Sequence, residues 1–164
     1  MSDAAIVAGD AHPGLAREIA READVPLLPV AIESFADGET RVRLEADASG
    51  KDLHLVQPMS APANERLMAI ALIADAARAA GAARITALIP YFAYARQDVR
   101  KLPGEPRSAQ LVARLLATAG IDRVVALELH SPALESAFPM GIQDFRCRDE
   151  EKCKDATAPA VGHK

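Results

Sequence analysis

Residues 85–90, Ile-Thr-Ala-Leu-Ile-Pro, form a short and nearly unbroken apolar run between a glycine at position 81 and a proline. Such a run is too short for a helix and shows no wet face, so it predicts a strand buried on both sides. A parallel sheet covered by helices on each face provides that environment.

The rest of the chain repeats this alternation. Short apolar runs at 5–8, 53–56 and 124–129 read as further strands. Between them lie segments of 3.6-residue period. Residues 13–23 put Leu15, Ile19 and Ala23 on one face behind Pro13. Residues 64–80 align Leu67, Ile70, Ala71, Ala74 and Ala77, and Gly81 stops the helix. Ser108 is the expected N-cap of a helix over 109–119 that Gly120 closes. Residues 25–32 read as extended and proline-punctuated, 40–44 as a half-exposed strand or hairpin arm, and 131–137 as a short helix. Alternating strands and helices predict an α/β fold with right-handed crossovers. The charged and then weakly patterned residues 142–164 are expected to form a solvated tail beside a domain spanning 1–141.

Composition narrows the function. Half of the 164 residues are hydrophobic, which excludes a disordered chain. A net charge of −4 argues against a broad nucleic-acid footprint. No stretch approaches the ~20 apolar residues of a membrane span, so no membrane role is expected. Met1-Ser2-Asp3-Ala4 lacks the basic flank of a secretion signal, which points to the cytoplasm. Cys147 and Cys153 have only His163 nearby in sequence, short of a zinc set.

Three segments carry unusual chemistry. Residues 91–101 follow the buried strand and hold both tyrosines, Arg96, Gln97, Asp98, Arg100 and Lys101. Guanidinium forks suit phosphate oxygens, an amide suits a base edge, and aromatic rings suit stacking. The same composition also fits a solvated loop. Glu128-Leu129-His130-Ser131 ends the next strand, where a histidine serves as a ligand, a base or a hydrogen-bonded structural group. Phe35-Ala36-Asp37-Gly38-Glu39 contains the Asp-Gly signal of a tight turn, with two carboxylates pointing outward. Neither a GxxxxGK[ST] loop nor a GxGxxG fingerprint is present.

Taken in order, these segments resemble ribose-phosphate pyrophosphokinases. Residues 35–39 are similar to that family's F-x-D-G-E, residues 90–98 to its P-Y-x-x-Y-x-R-Q-D, and residues 127–130 to its D-L-H; residues 57–68 are similar to its strand-to-helix segment. The resemblance covers residues 5 to about 141. It implies a three-layer, phosphoribosyltransferase-like domain and transfer of the diphosphoryl group of ATP to ribose 5-phosphate, with Mg2+ as cofactor. By resemblance, Phe35, Asp37, Gly38 and Glu39 would hold the adenine from a neighbouring subunit. Arg96, Gln97 and Asp98 would bind ATP from the other side, and His130, with Glu128, would help hold the magnesium. A homo-oligomer, or assembly with full-length synthetase subunits, follows from that shared site. Glu128 stands where the family usually has Asp, Val99 where Arg is frequent, and Arg107 where an aliphatic residue is usual. Family members are about twice as long, and the ribose-phosphate loop lies in their second half, so the resemblance assigns this chain no catalytic residue of its own. A non-catalytic, regulatory ATP-binding relative is the alternative.

Overall fold

The computed structural model describes residues 3–127, 129 and 132–145. The chain runs β1 (Ala4–Ala8), α1 (Pro13–Ala23), β2 (Leu27–Leu28), β3 (Val30–Ser34), β4 (Thr40–Leu44), β5 (Asp52–Val56), α2 (Ala63–Ala79), β6 (Arg84–Ile89), α3 (Ser108–Thr118), β7 (Arg123–Leu127), a 3-10 turn at Pro132–Ala137 and β8 (Ile142–Phe145). One wholly parallel sheet has the order β2-β1-β5-β6-β7-β8, while β3 and β4 pair as a separate antiparallel hairpin. The expected α/β, parallel-sheet architecture is therefore present.

Period-2 alternation splits the strands between two helical layers. Ile6 and Val56 pack with Ala16 and Ala20 of α1 on one face. Val7, Leu55, Ile85 and Ala87 join Ile70 and Ile73 of α2 and Val112 and Leu116 of α3 on the other. The hairpin is a side layer: Val30, Ile32, Val42 and Leu44 pack inward, and β4 lies along α2. With residues 30–44 closing over it, α2 touches apolar neighbours on more than one side. That explains why α2 reads as evenly apolar where α1 is plainly amphipathic.

Helix ends show how local chemistry is spent. His12 caps α1, its Nδ1 accepting the Leu15 N–H at 3.0 Å. Ser108 is not an N-cap: Arg107 holds that position without a side-chain bond, and Ser108 is the first helical residue. Arg78, near the end of α2, ties two loops together, the one after α2 and the one after α3. It donates to the carbonyls of Gly120 (3.0 and 2.9 Å), Ala82 (3.0 Å) and Ala83 (3.2 Å) and pairs with Asp122. Gly120 has φ 95°, and a β-carbon there would meet Arg78 Cγ at 2.9 Å, so glycine is required twice over.

The tail expectation fails over residues 142–145. They form the edge strand β8, paired to β7 in parallel register, with Ile142 half-buried and Phe145 largely exposed. Cys147, Cys153 and His163 lie outside the described residues.

Asp52, at the start of β5, is buried and accepts from the Arg84 guanidinium, with Nε at 3.0 Å. That hydrogen bond is the chief reason its carboxyl sits below the ordinary carboxylate value; burial opposes it, and the Arg84 and His54 charges add to the lowering. A depressed folded-state pKa gives stability that is full above the unfolded value and is lost as pH falls through the folded one. We expect the acid limb of unfolding, followed by circular dichroism below about pH 4, to flatten in Asp52→Asn, which should also lose stability at neutral pH. An acid limb identical to the parent's would contradict this.

Candidate functional site

The sheet's connectivity reverses between β1 and β5: the chain leaves β1 toward β2 on one side and later places β5 on the other. Ligands of open α/β sheets commonly enter at such a reversal. Here the chain fills it with its own groups. Gln57, at the end of β5, is fully buried. Its Oε1 accepts the Ala11 N–H at 3.0 Å, and its Nε2 donates to Asp10 Oδ1 at 2.6 Å. The other Asp10 oxygen pairs with Arg66 of α2. Gly9 makes room for the amide, since a β-carbon there would fall 2.0 Å from Gln57 Oε1. Sequence reasoning passed over this network, because its members lie 46 to 56 residues apart.

The residues that the sequence singles out lie instead beyond β6 and β7. Tyr91, Phe92, Tyr94, Ala95, Arg96 and Gln97, with Leu127 and Leu129, line a cavity of about 290 Å³. Its floor is apolar: Phe92 is buried and meets Phe138 edge-on, ring centroids 5.2 Å apart. Its rim is polar. Arg96 is exposed and takes part in none of the ion pairs among the described residues. An unpaired guanidinium above an aromatic and aliphatic floor can hold a planar ring and an anion together.

The loop is held at both ends. Tyr94 has φ 66°, the left-handed region, which costs a residue with a β-carbon about 1–2 kcal/mol. Its carbonyl accepts the Gln97 N–H at 2.8 Å, closing the turn, and its hydroxyl donates to Asn64 Oδ1 on α2. Gln97 Oε1 accepts the Ser108 hydroxyl at 2.7 Å, and the Gln97 carbonyl accepts the Ala109 N–H at 3.3 Å. The hydroxyl expected to cap α3 thus fixes the loop. Beyond Gln97, an adjoining hollow of about 410 Å³ is lined by Arg96, Gln97, Val99, Lys101, Glu105 and Pro106. Glu105 accepts the Lys101 and Leu102 N–H groups at 2.8 and 3.0 Å. Those bonds, from Leu102 first and Lys101 second, hold its carboxyl below the ordinary value. Asp98 is half-buried and lines neither hollow.

The third segment stands apart. Phe35, Asp37, Gly38 and Glu39 form the tip of the β3–β4 hairpin. The Gly38 N–H reaches the Phe35 carbonyl at 2.9 Å, and the Glu39 N–H reaches Asp37 Oδ1 at 3.1 Å. Gly38, at φ 91°, supplies the turn's left-handed residue. Phe35 is 48% exposed, and none of these residues lines the two hollows at Arg96. Glu128 and His130 lie outside the described residues, although Leu129 between them is buried and donates its N–H to Asp144 Oδ1 of β8 at 3.0 Å. Among the described residues, no three His, Cys, Asp or Glu side chains gather as a metal site.

Fold and cavity together define an α/β domain with an aromatic-floored, cation-rimmed site at the carboxyl ends of its central strands. Comparison with known proteins makes this specific. Residues 4–120 match the family described as the N-terminal domain of ribose phosphate pyrophosphokinase, and the chain belongs to that family. It is 38% identical over 160 residues to a ribose-phosphate pyrophosphokinase of Helicobacter hepaticus, covering 95% of this chain and 52% of the relative. It is 48% identical over 134 residues to one of Maricaulis maris, covering 81% and 43%. The crystal structure of phosphoribosylpyrophosphate synthetase from Mycobacterium smegmatis superposes with a TM-score of 0.85 at 39% identity, covering 88% of this chain and 49% of that one. The chain spans about half the length of the relatives it matches.

Proposed function

We propose that this chain supplies the ATP-holding half of a ribose-phosphate pyrophosphokinase, a transferase that moves the diphosphoryl group of ATP to ribose 5-phosphate and releases AMP. The observation that carries the reading is the unpaired Arg96 guanidinium at the rim of the aromatic-floored cavity. Arg96 meets phosphate oxygens, Gln97 offers its amide N–H groups to the base or ribose, and the rings give the adenine an apolar seat. Asp98, although it lines neither hollow, is proposed to bind ATP with Arg96 and Gln97.

The hairpin tip completes the pocket from a second copy: Phe35 covers the adenine face, and Asp37 and Glu39, beside Gly38, accept from its exocyclic amine. The separation of tip and cavity within one chain supports a site shared between subunits, as does the exposed pair Leu111 and Leu115, one helical turn apart on α3. Mg2+ would come with the triphosphate, because this hard cation keeps water and phosphate oxygens and takes only one or two protein ligands. His130 and Glu128 are the side chains proposed for it, and the charge it supplies would neutralise the phosphates. The domain boundary after Gly141 moves past β8, so the proposed nucleotide-holding unit includes residues 142–145. No helix among the described residues is long and apolar enough to cross a membrane.

Calorimetric titration of the 164-residue chain with ATP and Mg2+ is expected to give saturable binding. No heat of binding at millimolar ATP would overturn the reading.

A further inference from the structure

The rim of the cavity is carried on a backbone turn that the chain holds in an unfavourable state. Tyr94 is one of only two non-glycine residues with positive φ among those described. The other, Asp24, ends α1, where a left-handed residue is routine. Nothing comparable excuses Tyr94, a bulky residue in mid-loop. Strained backbone persists where surrounding contacts over-determine it. Here the contact is the hydroxyl bond to Asn64, on the first turn of α2, which lies outside the cavity lining. Two residues further along the loop comes Arg96, and three further comes Gln97, whose N–H closes the turn on the Tyr94 carbonyl.

We infer that Tyr94 and Asn64 are a positioning pair. Their bond locks the left-handed turn and so holds Arg96 and Gln97 at the cavity rim, making α2 the reference against which the nucleotide is placed. The inference rests on the proposed nucleotide site and adds the means by which its rim is preset. Without the bond the turn relaxes toward ordinary φ, and binding must then re-form the rim.

The test uses the full chain with Tyr94→Phe, Asn64→Ala, Asn64→Asp and the Tyr94→Phe/Asn64→Ala double variant, with two readouts. Amide exchange is followed in peptides covering residues 92–100, and MgATP affinity by titration. Tyr94→Phe and Asn64→Ala are each expected to speed exchange in the loop about ten-fold, with the β6 amides unchanged. Each is expected to weaken MgATP about five-fold. The double variant should be no worse than either single one, because both remove the same bond. Asn64→Asp, which keeps an acceptor, should restore both readouts. Loop exchange or affinity equal to the parent's in Tyr94→Phe would overturn the inference, as would additive losses in the double variant. A parent chain that binds no nucleotide, with loop exchange still responding to both single substitutions, would instead overturn the nucleotide reading.

Discussion

Gly9→Ala is expected to destabilise the domain by about 3–5 kcal/mol, lowering its midpoint of thermal unfolding by about 10 °C. The added β-carbon would lie 2.0 Å from Oε1, 2.4 Å from Cδ and 2.9 Å from Cβ of Gln57. A flexible surface glutamine would step aside at little cost. Gln57 has no such freedom, being fully buried with both ends of its amide engaged by Ala11 and Asp10. Displacing it strands the Ala11 N–H and Asp10, and Asp10 also holds Arg66. The mechanism is separable from a generic loss of glycine flexibility. In a Gln57→Ala background, which removes Oε1 and Cδ but keeps the Cβ at 2.9 Å, the same Gly9→Ala change should cost at least about 2 kcal/mol less, because contacting residues couple and absent ones do not. Chemical denaturation of the four proteins of this cycle decides it; equal costs in both backgrounds would contradict the account.

Arg96→Ala is expected to weaken MgATP binding about 10- to 100-fold, the worth of one or two charge-assisted hydrogen bonds to phosphate. Its unfolding midpoint should stay within about 1 °C of the parent, because substitutions at exposed, unpartnered positions rarely move stability. Arg96 contributes no ion pair or hydrogen bond to the fold among the described residues, which separates this variant from Gly9→Ala. An affinity unchanged in Arg96→Ala would move the nucleotide elsewhere. Arg96→Lys, which keeps the charge but loses the fork, should fall between the two.

Much of the architecture was legible because it rests on short-range pattern. Helix α1 begins at Pro13 and ends at Ala23 as its apolar spacing predicts, and the run at 85–90 occupies a central strand, β6. Strand β8 was missed for a physical reason. As an edge strand it pairs on one side only, and Gln143 and Asp144 give it the polar character by which edges avoid further pairing. The Ser108 signal correctly marked a helix start, but its hydroxyl had a choice that local sequence does not settle. Ser108 stands one residue inside the helix, and its hydroxyl donates to Gln97 Oε1, which the loop brings alongside.

The site divides in the same way. The chemistry of residues 91–101 was readable from composition and motif, and Arg96 and Gln97 do share a cavity. The left-handed turn at Tyr94 carries no sequence mark, since tyrosine is not a residue that seeks positive φ. Its anchor, Asn64, is 30 residues away and becomes visible only in three dimensions. The plugged reversal between β1 and β5 is equally non-local, and it redirects attention to the cavity beyond β6 and β7.

The most direct test of the account is photolabelling of the chain with 8-azido-ATP and Mg2+, followed by peptide mapping. We expect saturable label in residues 91–100 and, from a second copy, in the hairpin residues 34–41, both suppressed by excess ATP and by Arg96→Ala. Label confined to residues 9–13 and 57–66 at the strand reversal, or label that excess ATP leaves untouched, would contradict it.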